Sequence, residues 1–426
     1  MAIAVLFGVF VLLLLIGVPV AFSLALAALA ALCYLDLPAL VLVQQMAAGT
    51  STASLIAIPL FIFAGELMMR GGISERLIGL AGALVGRLRG GLGQVSILSS
   101  LFFGGVSGSA IADVSAVGGA MIPQMIKRGY DRDYAVNVSI MAALVALLVP
   151  PSHNLILFSA AAGGGISIAD LFAAGVVPAL LMTLALMITG YLVARRRGYG
   201  TEAFPGWQAV GLRLVSALPG LGLVGLIFFG IRAGIFTAVE SAAMAVVYAL
   251  LITVFVYRRL HWHEFAEAVT GAAGTTGAIL FVIAAASAFG WLLAYLQVPA
   301  AAVELLQSIA HQPTSVLMLI VLILLLLGTF MDLAPMILIC TPIFLPVARA
   351  YGIDPLHFGV VLILTGGIGL VTPPVGSVLF VGTAIGGISI GQSLRSIWPF
   401  WLAALVVLML VAFVPGLSLY LPAAMK

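Results

Sequence analysis

Apolar positions form long blocks along this chain, recurring from residue 3 to residue 415, with most charges in the short stretches between them. A helix needs about 20 residues to cross ~30 Å of hydrocarbon. Blocks at 50–69, 168–193, 236–257, 275–295 and 395–415 meet that length and are predicted as full spans. Residues 3–35 are interrupted at Gly17-Val-Pro19, and since proline removes a helical hydrogen bond, two short spans are expected there in preference to one kinked one. No polar stretch is long enough to fold alone, so one membrane domain is expected, with no separate soluble domain and no signal-peptide-like segment.

A second pattern lies over the first. Pro123, Gly129-Tyr-Asp131 and Pro150-Pro151 recur as Pro346, Gly352-Ile-Asp354 and Pro373-Pro374, at a constant offset of 223 residues. The string Gly-Gly-Ile-Ser-Ile follows each double proline, at 164–168 and 386–390, with a further proline at Pro178 and Pro399. The chain is therefore two copies of one plan, 1–200 and 201–426. Arg70, Arg76, Arg87, Arg89, Lys127, Arg128 and Arg132 flank the first copy's motif region, whereas 260–348 contains no Lys or Arg. By the positive-inside rule the copies face opposite ways. Inverted repeats are typical of secondary transporters, whose substrate site lies near the midplane where the copies meet.

Between Arg89 and Lys127 lie about 14 apolar residues, then Gly104-Gly-Val-Ser107-Gly-Ser109, then a second arm with Asp113. Fourteen helical residues reach only about 21 Å. Both flanks are basic, so a re-entrant helical hairpin over 93–126 is expected, its Ser-Gly-Ser turn buried at membrane depth. The second copy repeats it over 314–348, with Gly328-Thr-Phe-Met-Asp332 at the turn. Irregular backbone at that depth is tolerated only against protein or an aqueous cavity. Each hairpin is followed by a helix broken at a double proline, over 134–162 and 356–386. Proline frees carbonyls upstream that can coordinate a cation, and the restarted helix points its positive end at an anion.

Composition agrees with a membrane protein: 64% of the residues are hydrophobic and only 7% charged, far below the quarter or so that covers a soluble surface. The net charge of +3 reflects loop lysines and arginines and implies no nucleic acid. Cys33 and Cys340 lie far apart in apolar runs and are expected neither to pair nor to bind metal. No GxxxxGK[ST] loop, HExxH or paired-cysteine motif is present, which argues against direct ATP drive and zinc chemistry. Asp113, Asp332 and Glu240 are acids in apolar segments, each functional by default or else a helix cap. His153 beside the first break reads as a hydrogen-bonding strut in preference to a proton carrier, and Glu66 with Arg70, four residues on, as a structural pair.

The runs Val106-Ser-Gly-Ser-Ala-Ile-Ala-Asp113, Ile122-Pro123, Lys127-Arg-Gly-Tyr130, Val149-Pro-Pro-Ser152, Leu327-Gly-Thr-Phe-Met-Asp332, Gly352-Ile-Asp-Pro355, His357-Phe-Gly359 and Thr372-Pro-Pro-Val-Gly376 together resemble the large membrane subunit of TRAP (tripartite ATP-independent periplasmic) transporters. The likeness extends from Gly17-Val-Pro19 to the last span. It implies an all-α polytopic protein of the bacterial inner membrane, a carrier and not an enzyme, without an organic cofactor. It further implies sodium-driven uptake of an organic acid by an elevator movement, with a small four-helix membrane subunit and a periplasmic substrate-binding protein as partners.

Carried over by motif, one sodium ion would be held by Ser107 and Ser109 with carbonyls of Ala146, Val149 and Pro151. A second would be held by Gly328 and Thr329 with Gly369, Thr372 and Val375. The acid would lie between the hairpin tips, among Ser107, Gly108, Ser109, Asn154, Asp332, Thr372, Gly376 and Ser377, with helix N-termini at Asn154 and Ser377. His153-Asn154, and Ala238-Val239 ahead of Glu240, depart from the family's usual residues, so the substrate is not carried over. Rival expectations are a single-component sodium-dicarboxylate carrier, an ion channel and, least favoured, a membrane enzyme using Asp113 and Asp332.

Overall fold

The computed structural model describes residues 1–201 and 203–425, and among them the chain is helical throughout, with short 3-10 and π turns and no strand. At the N-terminus Gly17 takes a positive φ of 88° and Pro19 caps the next helix, so Ala2–Leu15 and Val20–Tyr34 are two helices packed side by side. They pack with Leu40–Thr50 on the 34-residue helix Trp262–Tyr295, where Phe7 meets Phe289 edge-on at 5.8 Å.

Among the described residues, five helices are long and apolar enough to cross a membrane: Ile168–Arg196, Trp207–Arg232, Ala238–Val256, Trp262–Tyr295 and Leu333–Ala350. Of these, Trp207–Arg232 was not expected, and Leu333–Ala350 was expected as an arm of the second hairpin and not as a full span. Pro219 lies within Trp207–Arg232, and Arg213 breaks its apolar run near the start. The expected span at 50–69 is instead Ala57–Arg70, which bends by 68° into Ile73–Val85. Similarly, Val298–Ile309 meets Pro313–Gly328 at 119°, and Trp398–Phe413 meets Gly416–Ala424 at 61°.

Both hairpins form. The first has arms Gly91–Ser107 and 110–127, the second Pro313–Gly328 and Leu333–Ala350. The first arm is longer than the 14 residues expected, at 17. Gly108 turns the first tip in the left-handed region (φ 58°), and Ser109 caps the next helix by accepting from the Ala112 N–H. Both broken helices form too: Arg132–Ala142 and the short turn Val145–Leu147 stop before Pro150-Pro151, and His153–Ala161 restarts. Pro355–Leu370 stops before Pro373-Pro374, and Ser377–Gly386 restarts. Both Pro-Pro bonds are cis.

The broken helices are the centre of the molecule, with residues 134–148 and 357–371 buried without interruption. Helices that are apolar all round have no solvent face to give them an amphipathic period. Since lipid is as apolar as leucine, such helices associate through close packing and hydrogen bonds. Small residues supply the approach: a Cβ on Gly367 would stand 2.7 Å from Leu147 Cδ1, and one on Gly359 2.5 Å from the Phe158 ring. Asn137 Nδ2 adds donations to the Ser393 carbonyl (3.0 Å) and Ser396 Oγ (2.9 Å). At the loop end of the same unit Arg197 pairs with Asp131 and, through both guanidinium nitrogens, with Asp133. That hydrogen-bonded guanidinium holds the Asp133 carboxyl down to about 2.

Candidate functional site

Each hairpin tip is pressed against a helix break by glycines that let backbone meet backbone. A Cβ on Gly104 would fall 2.6 Å from Ala146 Cα, one on Gly105 3.0 Å from the Pro150 carbonyl, and one on Gly108 3.1 Å from the Pro151 carbonyl. In the second half a Cβ on Gly369 would lie 2.6 Å from Gly328 Cα. The Val375 N–H donates to the Thr329 carbonyl at 3.0 Å, sewing that break to its tip.

Local polar groups are arranged around these junctions. Asn154, in the first turn of the restarted helix, donates from Nδ2 to the Gly108 carbonyl (3.0 Å), and Ser152 Oγ donates to the Leu147 carbonyl (2.6 Å). Ser107 Oγ accepts from the Ser109 N–H at 3.4 Å. Thr329 Oγ1 donates to the Leu326 carbonyl (2.7 Å), and Thr372 Oγ1 to the Ile368 carbonyl (2.6 Å) while accepting from the Trp401 indole (3.1 Å). Asp332 caps its own helix through the Leu333 N–H (3.0 Å) and accepts from Ser377 Oγ at 3.4 Å. Hydroxyl and carbonyl oxygens thus gather at both junctions, which is the donor set a hard monovalent cation takes. Among the described residues there is no cluster of three or more His, Cys, Asp or Glu to suit a transition metal.

The two tips open into one cavity of about 470 Å³. One wall comes from the tips and breaks, with Ser109, Ala110, His153, Asn154, Asp332 and Leu370. The other comes from Ala57–Arg70 and Trp262–Tyr295, with Glu66, Met69, Thr275 and Ile279. A smaller recess of about 100 Å³ beside it adds Ser107. Of the eight residues expected around the substrate, Ser109, Asn154 and Asp332 line the main cavity, Ser377 is hydrogen-bonded to Asp332, and Gly108 to Asn154. Thr372 and Gly376 are not among the residues lining it. Gly376 instead turns the chain at φ 40°, where a Cβ would meet the Thr372 carbonyl at 3.0 Å.

None of the residues lining the cavity is Lys or Arg, and two, Glu66 and Asp332, are carboxylates. The basic group nearest in the network is Arg70, engaged by Glu66 at 3.3 Å and by Glu267. The pair read from the sequence is therefore a triad joining two helices, and Glu66 faces the cavity. Thr275 and Trp401 had no signal in the sequence at all. Asp113 lies apart from the cavity, buried between the hairpin arms and accepting from Ser100 Oγ at 2.6 Å. Glu240 is a helix cap, exchanging bonds with the Thr237 backbone and side chain.

The chain matches, over residues 7–417, the family described as tripartite ATP-independent periplasmic transporter, DctM component. It is 38% identical to a putative TRAP transporter large permease protein of Haemophilus influenzae, over 95% of each chain. It is 38% identical to the C4-dicarboxylate TRAP transporter large permease protein of Pseudomonas aeruginosa, over 87% of this chain and 86% of that one. It is 37% identical to the sialic acid TRAP transporter large permease protein of Vibrio cholerae, over 95% of each. In fold it is similar to the YdaH transporter of Alcanivorax borkumensis, with a TM-score of 0.61 at 16% identity, covering 91% of this chain and 89% of that one.

Proposed function

The chain belongs to the family of the DctM component of tripartite ATP-independent periplasmic transporters, and from that membership we propose that it carries an organic acid inward across the bacterial inner membrane, coupled to sodium. Its relatives in Haemophilus influenzae and Pseudomonas aeruginosa are named as large permease proteins, which supports a permease role here.

The single observation that carries the sodium coupling is the charge of the cavity. It is lined by Glu66 and Asp332 and by no Lys or Arg, yet relatives are named for dicarboxylate and sialic acid. An anion entering such a cavity needs positive charge from elsewhere. Restarted helices beginning at His153 and Ser377 each offer about 0.3–2 kcal/mol to an anion. Sodium at the oxygen-rich junctions, one at Ser107, Ser109, Ala146, Val149 and Pro151 and one at Gly328, Thr329, Gly369, Thr372 and Val375, supplies the rest.

The two walls of the cavity favour an elevator. The hairpins and broken helices interlock into one buried unit, while the facing wall belongs to helices of a different group, so the substrate-bearing unit can slide as a body against a fixed scaffold. The repeated helix breaks, with Lys and Arg around Arg89 and Lys127 but none at 260–348, support inverted copies. The small four-helix membrane subunit and the periplasmic binding protein are the remaining two components of a tripartite system.

Uptake into proteoliposomes by the full complex should require both the binding protein and a sodium gradient. Ser107→Ala and Thr372→Ala are each expected to raise the sodium concentration for half-maximal uptake about tenfold, one oxygen ligand being lost in each, with the protein still folded. Unchanged sodium activation in both single variants and the double would remove these ligands from the account. Orientation is checked by cysteines placed at 128 and 308: a membrane-impermeant reagent added from the periplasm should label 308 and spare 128, and the reverse pattern would invert the topology.

A further inference from the structure

The indole of Trp401 sits behind the second helix break with its N–H directed at Thr372. Nε1 donates to Thr372 Oγ1 at 3.1 Å, and that hydroxyl in turn donates to the Ile368 carbonyl at 2.6 Å. A threonine hydroxyl has one proton and two lone pairs. The proton is used, one lone pair is taken by Trp401, and one remains. Here the hydroxyl is pinned from two directions, and the ring that pins it is itself packed edge-on against Trp398, at 5.7 Å and 82°. Trp401 belongs to Trp398–Phe413, a helix that packs along Pro355–Leu370, so its reach to Thr372 is a tertiary contact across 29 residues. The long helix after the first broken helix, Ile168–Arg196, has no tryptophan.

We infer that Trp401 is a positioning residue for the sodium site at the second break: its indole N–H fixes the Thr372 hydroxyl so that the free lone pair points at the ion. This rests on the assignment of Thr372 as a sodium ligand. Groups that orient a metal's ligands from behind commonly change affinity by tenfold or more when removed. Since only the second junction is held this way, the two sodium sites should respond differently to loss of the indole donor.

The test is binding of radioactive sodium to the purified large subunit together with its small membrane subunit. Trp401→Phe should weaken the affinity of one class of site about tenfold while leaving the number of ions bound at saturation unchanged. Replacing Trp401 by its benzothienyl isostere, which keeps the ring shape but has no N–H, should give the same shift, and this variant decides the matter if the phenylalanine protein is unstable. Trp401→His, which restores a ring donor, should recover part of the affinity. Thr372→Ala is run alongside and should weaken the same class of site by about tenfold or more. If Thr372→Ala weakens sodium binding but the isostere binds like wild type, Trp401 only fills space and the proposal falls. If Thr372→Ala itself leaves affinity and stoichiometry unchanged, the sodium site beneath the proposal is misplaced, and the proposal falls with it.

Discussion

Gly369→Ala should cut uptake by at least about tenfold while the protein still inserts in the membrane. A Cβ there would stand 2.6 Å from Gly328 C and Cα and 2.7 Å from Gly328 O, all of them backbone atoms. Flexible side chains can swing away from such a contact, but two helix segments cannot. The tip must therefore move off the break, and overpacking of this kind costs about 1–3 kcal/mol. The displacement falls on the backbone that brings Thr329, Thr372 and Val375 together, where sites lose function at shifts of about 0.5–1 Å. The reciprocal change is milder: a Cβ on Gly328 would meet Gly369 Cα at 3.2 Å, so Gly328→Ala should retain more transport than Gly369→Ala. Gly277→Ala on the opposite wall's helix, with nothing within 4 Å of the added carbon, is the control and should transport normally. Proteoliposome uptake read with thermal stability checks all three. Normal uptake by Gly369→Ala would mean that the second junction takes no part in transport.

The features that proved legible in the sequence are those in which backbone geometry dictates residue type. A double proline must break a helix, and a Gly-Ser cluster between two short apolar arms must turn, and helices do stop and restart around Ser107-Gly108-Ser109, Pro150-Pro151 and Pro373-Pro374. Length and hydropathy were a poorer guide. Trp207–Arg232, with Pro219 within it and Arg213 near its start, was not expected, and Ile73–Val85 and Val298–Ile309 are apolar enough to read as parts of spans although each bends sharply away from its neighbour. A bend angle is fixed by what the helix packs against, which no local pattern records. The same holds at the site. Ser107, Ser109, Asn154 and Asp332 stood out because they flank irregular backbone. By contrast, Glu66 looked satisfied by Arg70 because its third partner, Glu267, lies 197 residues beyond Arg70. Trp401 looked like one more aromatic in an apolar helix until folding placed its N–H on Thr372.

The largest effect is expected from sodium on substrate binding. Micromolar binding of an organic acid amounts to about 8 kcal/mol. Two helix N-termini at about 2 kcal/mol each fall well short of that, before the cost of bringing a carboxylate into a cavity that already holds Glu66 and Asp332 is counted. Sodium beside the tips must close much of the gap, and by linkage the substrate must raise sodium affinity by the same factor. The most direct measurement is a titration of the purified membrane complex with the organic acid that most stabilises its periplasmic binding protein, carried out in saturating sodium and again with potassium in its place. Substrate affinity should rise at least about tenfold in sodium, with an equal rise in sodium affinity when substrate is present. Substrate affinity that is the same in sodium and in potassium would contradict the account.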